Sequence, residues 1–494
     1  MSFVKHSMFS KPSANQSSHD KESRLCFDCV KDQFLRDKIR NEGEDDVCSF
    51  CDNSDKTFSL GEVADLVEVA FEEHFERTST EPSDWDYWRI KEMDYDWDRE
   101  GEQVHYVIAE IAGIDEDIAA AITDILSDRH SDRELAEMGD ESEFDRDSHY
   151  QLKSCDGYNH HYREWSVFER RIQSECRFLS RSSQGVLDEV FGGIDRFVTR
   201  EGKAVVLTVG PQTEVLDLFR ARVFQSSEGL IKGLSRPDLE IGPPPLGKAA
   251  SGRMNAQGIS VFYGALSRET ALAEVRPPVG SDVVVAKFSI LRPLRVLNLA
   301  ALKQILIHNS YFDPNCRPLL ERATFLERLS GQMTRPVMPE REHTDYLVTQ
   351  VIADYLASEH KLDGLIFPSV QTKDGVNIVL FHHACRTEEL EIPEGTDIQV
   401  GPDGWSDDGP DPNYLVIELH PLSEKSETKK DAKDNFDPLG IMTLDLPDEN
   451  QDLRQLSLKV SIKDVEVRKI TFVEFSSAKS SVRRESKTKP KGHT

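Results

Sequence analysis

Ahead of residue 200 the apolar positions recur at helical spacing. In 60–75, Val63, Leu66, Val67, Val69, Ala70, Phe71 and Phe75 fall on one broad face, which predicts an amphipathic helix. Segments 104–111 and 118–126 repeat that period, with Asp115 placed to cap the second. Segment 165–179 reads as a further helix. Near Gly202 the pattern changes. Short runs rich in Val, Ile, Leu and Phe at 204–209, 218–223, 259–263, 283–288, 294–299, 364–367 and 377–381 predict strands. Helical patterns at 268–275, 299–308 and 346–358 separate some of them, and 456–475 again alternates like strands. Such a mixture predicts an α/β or α+β architecture. No internal repeat is visible.

Polar and turn-forming stretches mark the boundaries. Residues 1–23 are polar and Ser-rich, 423–437 is charged and poor in apolar residues, and the end of the chain is a Lys/Arg/Ser tail. The reading divides the chain into a disordered tail (1–23), a helical domain (24–200) with a cysteine module at 24–55, and an α/β domain (201–422). A charged linker or insertion (423–437), strands packing on that domain (438–476) and a disordered basic tail (477–494) follow.

Composition narrows the function classes. The 494 residues carry 60 Lys and Arg against 89 Asp and Glu, a formal net charge of −29. That excess argues against a general nucleic-acid or acidic-membrane coat, which needs a cationic face. No run of 18 apolar residues offers a membrane span, and the first residues show no apolar core of a secretory signal. A cytoplasmic protein is expected.

The eight cysteines are too few and too scattered for a disulfide framework. Four of them form Cys26-x-x-Cys29 and Cys48-x-x-Cys51, with 18 residues between the knuckles. Each knuckle puts two sulfurs on one tight turn. Two knuckles complete a closed tetrahedral thiolate site, the pattern of structural zinc. The alternative is four free thiols or a redox pair.

The densest candidate chemistry lies between Leu218 and Phe381. Arg220 sits in a strand pattern, Arg253 in the Gly-rich loop Ser251-Gly-Arg-Met-Asn-Ala-Gln-Gly, and Tyr263 at the end of Ile259-Ser-Val-Phe-Tyr. Glu274 lies among apolar neighbours on the 268–275 helix, and Ser369 follows the strand Gly364-Leu-Ile-Phe-Pro. A Gly-rich loop lets backbone and guanidinium approach an anion closely. Each residue alone also has an ordinary structural reading, and no spacing fixes their mutual geometry.

The stretch Gly252-Arg-Met-Asn-Ala-Gln-Gly-Ile-Ser-Val-Phe-Tyr-Gly-Ala-Leu-Ser-Arg-Glu-Thr-Ala-Leu-Ala-Glu-Val-Arg-Pro resembles the centre of a RES domain, a family named for an Arg, a Glu and a Ser. Leu218-Phe-Arg220 resembles its early block, and Gly364-Leu-Ile-Phe-Pro-Ser369 with Asn377-Ile-Val-Leu-Phe381 its late one. The preceding helices and cysteines resemble, more loosely, the HEPN/RES-type N-terminal domain. The resemblance implies a mainly α-helical N-terminal domain with a four-cysteine zinc knuckle, then an α/β (α+β) RES domain similar to ADP-ribosyltransferases. It also implies NAD as substrate, cleaved at the nicotinamide–ribose bond, and an antitoxin or regulatory protein as partner.

Residue by residue, the resemblance puts Arg220 on the NAD diphosphate, assisted by Arg253. Tyr263 would pack on the nicotinamide or its ribose, Glu274 would be the family Glu, and Ser369 would bond the bound NAD. Asn255 and Asn377 fall in family-like blocks without an assigned role. Water, phosphate or a protein side chain can serve as acceptor. A non-catalytic zinc-scaffolded binding module is the alternative of another class. The chain departs from small toxins in its long N-terminal part and in 314–342, which reads as an enlarged connection.

Other signals carry less. Arg99 and His105 have the spacing of a HEPN ribonuclease motif, but the acidic surroundings favour a helix start with a solvent-facing His. His160-His161 and His382-His383 lack a third ligand at useful spacing. Trp85, Trp88 and Trp97 read as a satellite core rather than a partner surface, and the basic tail as a solvated end.

Overall fold

The computed structural model describes residues 23–93, 97–131, 141–153, 160–176, 180–307, 309–406, 409–410, 413–421, 452–474 and 476–484. Residues 1–22 of the N-terminal tail, Cys155, His308, the 423–437 segment, 438–451 and 485–494 of the basic tail lie outside the described residues. Two compact units divide the chain. The first is 1–168 with 303–329, and the second is 169–302 with 330–494. The sequence reading put a boundary near 200 and assigned 303–329 to the second domain.

The first unit is built on the predicted helices. Leu60–His74 starts with a full capping box, in which the Ser59 hydroxyl accepts from Glu62 N–H and the Glu62 carboxylate accepts from Ser59 N–H. Such a cap is worth about 1 kcal/mol. The helix buries Leu60, Val63, Ala64, Val67, Ala70 and Phe71, the i, i+3, i+4, i+7 stripe that the sequence showed. Val104–Ala112 and Glu116–Arg129 pack on the same core. Asp115 occupies the cap position of the latter, but its side chain makes no capping bond.

Two small three-stranded sheets complete this unit. One is Arg24–Cys26, Ser54–Ser59 and Glu44–Val47, and the other Phe75–Arg77, His149–Leu152 and Glu102–Gln103. The enlarged connection is not loop: Cys316–Thr334 is a 19-residue helix. Just before it, Phe312 is buried in the core of the first unit, with Tyr311 packed against it.

The second unit is a mixed nine-stranded sheet. Its strands are β1 (Val206–Val209), β2 (Asp217–Phe224), β3 (Phe262–Ala265), β4 (Asp282–Ile290), β5 (Leu294–Asn298), β6 (Gly364–Pro368), β7 (Val376–Leu380), β8 (Thr387–Glu388) and β9 (Leu458–Lys469). The order across the sheet is β8-β9-β4-β2-β3-β7-β6-β5-β1. Pairing is antiparallel except for β5 with β6 and β8 with β9. β2 and β4 share eight residue pairs, whereas β2 and β3 share one, Phe219 with Ala265. The sheet therefore parts beyond that pair. Leu218, Phe262, Val284, Phe288, Ile378, Leu380 and Leu458 form the main core.

Three predicted elements differ from what forms. The strand expected at 259–263 is displaced to Phe262–Ala265. The Asn255 side-chain amide takes the carbonyls of Ala250, Ala256 and Ile259, so the earlier residues are held as a loop. The helix expected at 299–308 is a short 3-10 turn, Ala301–Gln304. The Asn298 carboxamide bonds the N–H groups of Ala300 and Ala301, and the single turn suffices to bury Leu302. The helix expected at 165–179 begins earlier, at His160, and ends at Ser174. A further helix, Arg181–Phe191, starts at Ser180, whose hydroxyl accepts from Ser183 N–H.

The tryptophan-rich segment corrects another expectation. The helix Asp84–Met93 buries none of its residues. Trp85 and Trp88 are 64% and 44% exposed and stack on each other at 4.9 Å, so they are not a satellite core. Among the described residues no helix is long and apolar enough to cross a membrane.

Asp363, buried just before β6, ties three segments together. Its carboxylate accepts from Arg292 at 3.0 Å and from Arg295 N–H at 2.8 Å, and it pairs with His383 at 3.3 Å. Burial alone would raise its pKa, but His383, the Arg295 N–H and Arg292 outweigh it and hold the carboxyl below its ordinary value. A depressed folded-state pKa stabilises above the unfolded value of about 3.9 and is lost as pH falls through the folded value. Asp363→Asn is expected to cost about 2 kcal/mol at neutral pH. Urea unfolding of both proteins should show the difference narrowing below about pH 4.

Candidate active site and metal centre

A cavity of about 340 Å³ opens beside the place where β2 and β3 part, bordered by Arg220, Arg253, Tyr263, Glu274, Arg276 and Asn377. Apolar side chains including Phe219, Ala265, Ala271, Val275 and Phe367 complete its wall. A larger cavity of about 860 Å³ lies in the first unit. Asp32, Asp37, Glu102, Glu110 and Asp313 border it and no described lysine or arginine does, so it offers an anion no cationic side chain. The chemistry is concentrated in the smaller one.

Glu274 is the last residue of the helix Arg268–Glu274, whose first turn is capped by Ser267. A carboxylate at a helix C-terminus faces the negative end of the helix dipole, so it needs donors from elsewhere. Two come from β7 and from the turn that follows β6. Ser369 Oγ donates to Glu274 Oε1 at 2.5 Å, and Asn377 Nδ2 donates to the same oxygen at 2.7 Å. Glu274 Oε2 has no hydrogen-bond partner among the described residues. The Ser369 oxygen itself accepts from the N–H groups of Gln371 and Thr372. Its one proton is thus directed at Glu274, not at the cavity. The turn is closed by Gly375, where a Cβ would lie 1.9 Å from Thr372 Oγ1 and 2.7 Å from Thr270 Oγ1.

Arg220 comes from β2. Its Nη1 donates to Tyr263 O at 2.9 Å across the parting of the sheet, and its guanidinium lies 5.2 Å from the Phe262 ring centre. No described carboxylate pairs with it. Desolvation pulls its pKa down to about 10, a measure of how poorly the surroundings compensate the charge. A cation in that condition favours an anionic ligand.

The Gly-rich loop is fastened to Tyr263. The Tyr263 hydroxyl donates to Asn255 Oδ1 and accepts from Met254 N–H, both at 2.9 Å, and burial pushes its pKa up to about 12. A Cβ on Gly252 would lie 2.5 Å from Asn255 Oδ1 and 2.8 Å from Tyr263 Oη, so only glycine fits. Arg253 donates to the carbonyls of Met333 and Arg335 at 2.8 and 2.7 Å, and lies over the Tyr346 ring. Part of its donor capacity is therefore spent on the protein.

Sequence reasoning missed several supports. Gln350, on the helix Glu342–Ser358, donates to Ser251 Oγ, Gly252 O and Asn255 O, and Thr349 donates to Arg253 O. Together they clamp the loop. Arg276 borders the cavity with φ of +42°, a left-handed backbone that costs a non-glycine residue about 1–2 kcal/mol. With the Gln371 amide oxygen turned toward it, its guanidinium has a partner at 2.8 Å. The Pro277-Pro278 pair directly after it was the available signal, since the residue before proline is driven out of the helical region.

The other sequence signals are otherwise engaged. Arg99 forms a two-point pair with Glu141 at 2.9 and 2.6 Å and donates to Thr78 O. His105 lies against Tyr106 at the start of its helix. His382 contacts Ser260 O, and His383 contacts Asp363.

In the first unit Cys26, Cys29, Cys48 and Cys51 place all four sulfurs within 4.8 Å of one another. Individual separations are 3.5 Å for Cys26–Cys51, 3.6 Å for Cys26–Cys29 and 3.9 Å for Cys29–Cys48. Zinc–sulfur bonds of about 2.3 Å in a tetrahedron put sulfurs about 3.8 Å apart, so the donor set fits zinc. Burial and the neighbouring thiols push Cys29 up. At Cys48 burial acts the same way but is outweighed by backbone N–H groups, which bring it down to about 7.

Fold and site together define a mixed α/β unit with an oriented carboxylate and an uncompensated guanidinium in one cavity. Residues 234–402, about a third of the chain, match the family described as the RES domain. The matched stretch contains Arg253, Tyr263, Glu274, Ser369 and Asn377 and begins after Arg220. No curated protein and no solved structure matches the chain.

Zinc held by these four thiolates should be lost from Cys48→Ser, with a lower melting temperature of the first unit, since ligation at such a site is coupled to folding. Elemental analysis and calorimetry check this. A variant with unchanged metal content and unchanged melting would exclude the site.

Proposed function

We propose that the second unit cleaves NAD at the nicotinamide–ribose bond, with water or phosphate as acceptor, and that a structural zinc holds the cysteine module. The observation that carries the reading is the pairing in one cavity of Glu274, with one oxygen fixed, and Arg220, a cation with no counter-ion among the described residues. The RES-domain match supports it, because that family is linked to NAD-acting toxins.

In this reading Arg220 takes the diphosphate. It also borders a second cavity of about 880 Å³, which gives room for the adenosine half. Glu274 Oε2 faces the ribose. As the bond breaks, positive charge develops on the sugar and the preorganised carboxylate stabilises it. Nicotinamide leaves as a neutral base, so no general acid is needed. Ser369 and Asn377 act through Glu274 by holding its other oxygen. A protein side chain as acceptor would make the same site an ADP-ribosyltransferase, with the fold likeness that implies. The setting proposed is the cytoplasm, with an antitoxin or regulatory protein as partner and the N-terminal unit as a HEPN/RES-type domain.

Glu274→Gln keeps the shape and removes the charge. Nicotinamide release should fall by about 10²-fold or more, with little change in NAD affinity. Arg220→Ala should mainly weaken NAD binding. Full nicotinamide release by Glu274→Gln would refute the mechanism.

A further inference from the structure

Arg276 lies two residues beyond Glu274 and borders the same cavity. A continuous helix does not allow that. At about 3.6 residues per turn, side chains two apart point about 200° away from each other. The chain has to change direction between them. The helix ends at Glu274, Val275 keeps a nearly helical backbone, and Arg276 adopts the left-handed φ of +42°. Pro277 follows and keeps Arg276 out of the helical region. A strained backbone kept at the edge of a cavity points to a task for the side chain it delivers.

The guanidinium arrives without compensation. Its described partner is the neutral Gln371 amide oxygen, turned toward it at 2.8 Å, and no described carboxylate pairs with it. Tyr346 borders the cavity as well. Burial raises the pKa of its hydroxyl, while the charges of Arg253 and Arg276 both pull it down, so the two guanidiniums lie near that one group. Arg253 also sits 5.6 Å from the centre of the Tyr346 ring. One wall of the cavity thus carries two cations, one from the Gly-rich loop and one from the helix end. Of the three arginines, Arg220 is the one that also borders the second cavity.

Resting on the reading above, we infer that Arg276 binds the phosphate carried by the nicotinamide ribose. Glu274 faces that ribose, and the phosphate attached to it is the nearest anion in the dinucleotide. A cation two residues from Glu274, brought back to the same cavity, meets that phosphate first. Arg220 is left with the adenosine-side phosphate, toward the second cavity. Each phosphate of the diphosphate then has its own guanidinium. Arg253, with donors spent on the carbonyls of Met333 and Arg335, adds charge to the wall that holds Arg276.

The test compares nicotinamide mononucleotide with nicotinamide riboside, which lacks the phosphate, as inhibitors of NAD cleavage. Neither has to be cleaved for the comparison to be read. The full-length wild type, Arg276→Gln and Arg276→Gly are assayed, each checked for folding by thermal melting. Glycine accepts the left-handed backbone without strain, so that variant removes the cation alone. Wild type should bind the mononucleotide at least about tenfold more tightly than the riboside, the worth of one charge-assisted hydrogen bond. In both variants that advantage should fall about tenfold, with riboside inhibition unchanged. The KM for NAD should rise while kcat is kept. A residue that merely supported Glu274 would lower kcat and leave the ratio of the two inhibitors as it was, and a residue on the adenosine-side phosphate would also leave it unchanged. Either result would overturn the inference, as would equal inhibition of wild type by the two compounds, a measurement that needs no variant. Wild type that releases no nicotinamide from NAD would overturn the functional reading and this inference with it, whereas release with an unchanged ratio overturns this inference alone.

Discussion

A carboxylate at the end of a helix, set against the negative end of the helix dipole, is held in one orientation only if donors meet it there. For Glu274 those donors are Ser369 and Asn377, both on one of its two oxygens. Much of the second unit follows from that requirement. β3 must lie beside β7 for Asn377 to face the Arg268–Glu274 helix. The turn after β6 must close tightly enough for Ser369 to spend its lone pairs on backbone N–H groups and its proton on the carboxylate. Gly375 permits that closure by carrying no side chain.

The opposite wall answers a different constraint. A sheet paired along its whole length would leave no room for a ligand between strands. Here β2 and β3 separate after one residue pair, and the Arg220 guanidinium spans the gap to Tyr263 O. The same tyrosine secures the Ser251–Asn255 turn through its hydroxyl, and Gln350 locks that turn from the helix behind it. Backbone carbonyls, not carboxylates, hold the described contacts of Arg220 and Arg253, so both cations keep their charge available.

Local order was legible in the sequence wherever one period dominated. The Leu60–His74 helix announced itself by its apolar stripe. The strands at 283–288 and 377–381 were legible from their continuous apolar runs, which buried strands require. What misled were side chains acting on the backbone. Asn255 and Asn298 each captured backbone groups that a strand or a helix would have used. Trp85 and Trp88 looked like core material because residue type alone does not tell which way a helix turns. Within the site, the resemblance to the RES domain pointed to Glu274 and Ser369, but the bond between them links positions 95 residues apart, and nothing local encodes it. Gln350 carried no signal at all, since its role exists only once the loop it clamps has been brought to it.

The placement of 303–329 bears on how the protein is made. Phe312 is part of the first unit's core, yet it is encoded after the first five strands of the sheet. A ribosome adding about 5–20 residues per second leaves a gap on the order of ten seconds between the end of 1–168 and the arrival of that phenylalanine. During that interval the earlier unit is translated but unsealed, while β1 to β5 are already emerging. The core of the first unit is therefore completed by a segment that lies, in sequence, between those that bear Glu274 and Ser369.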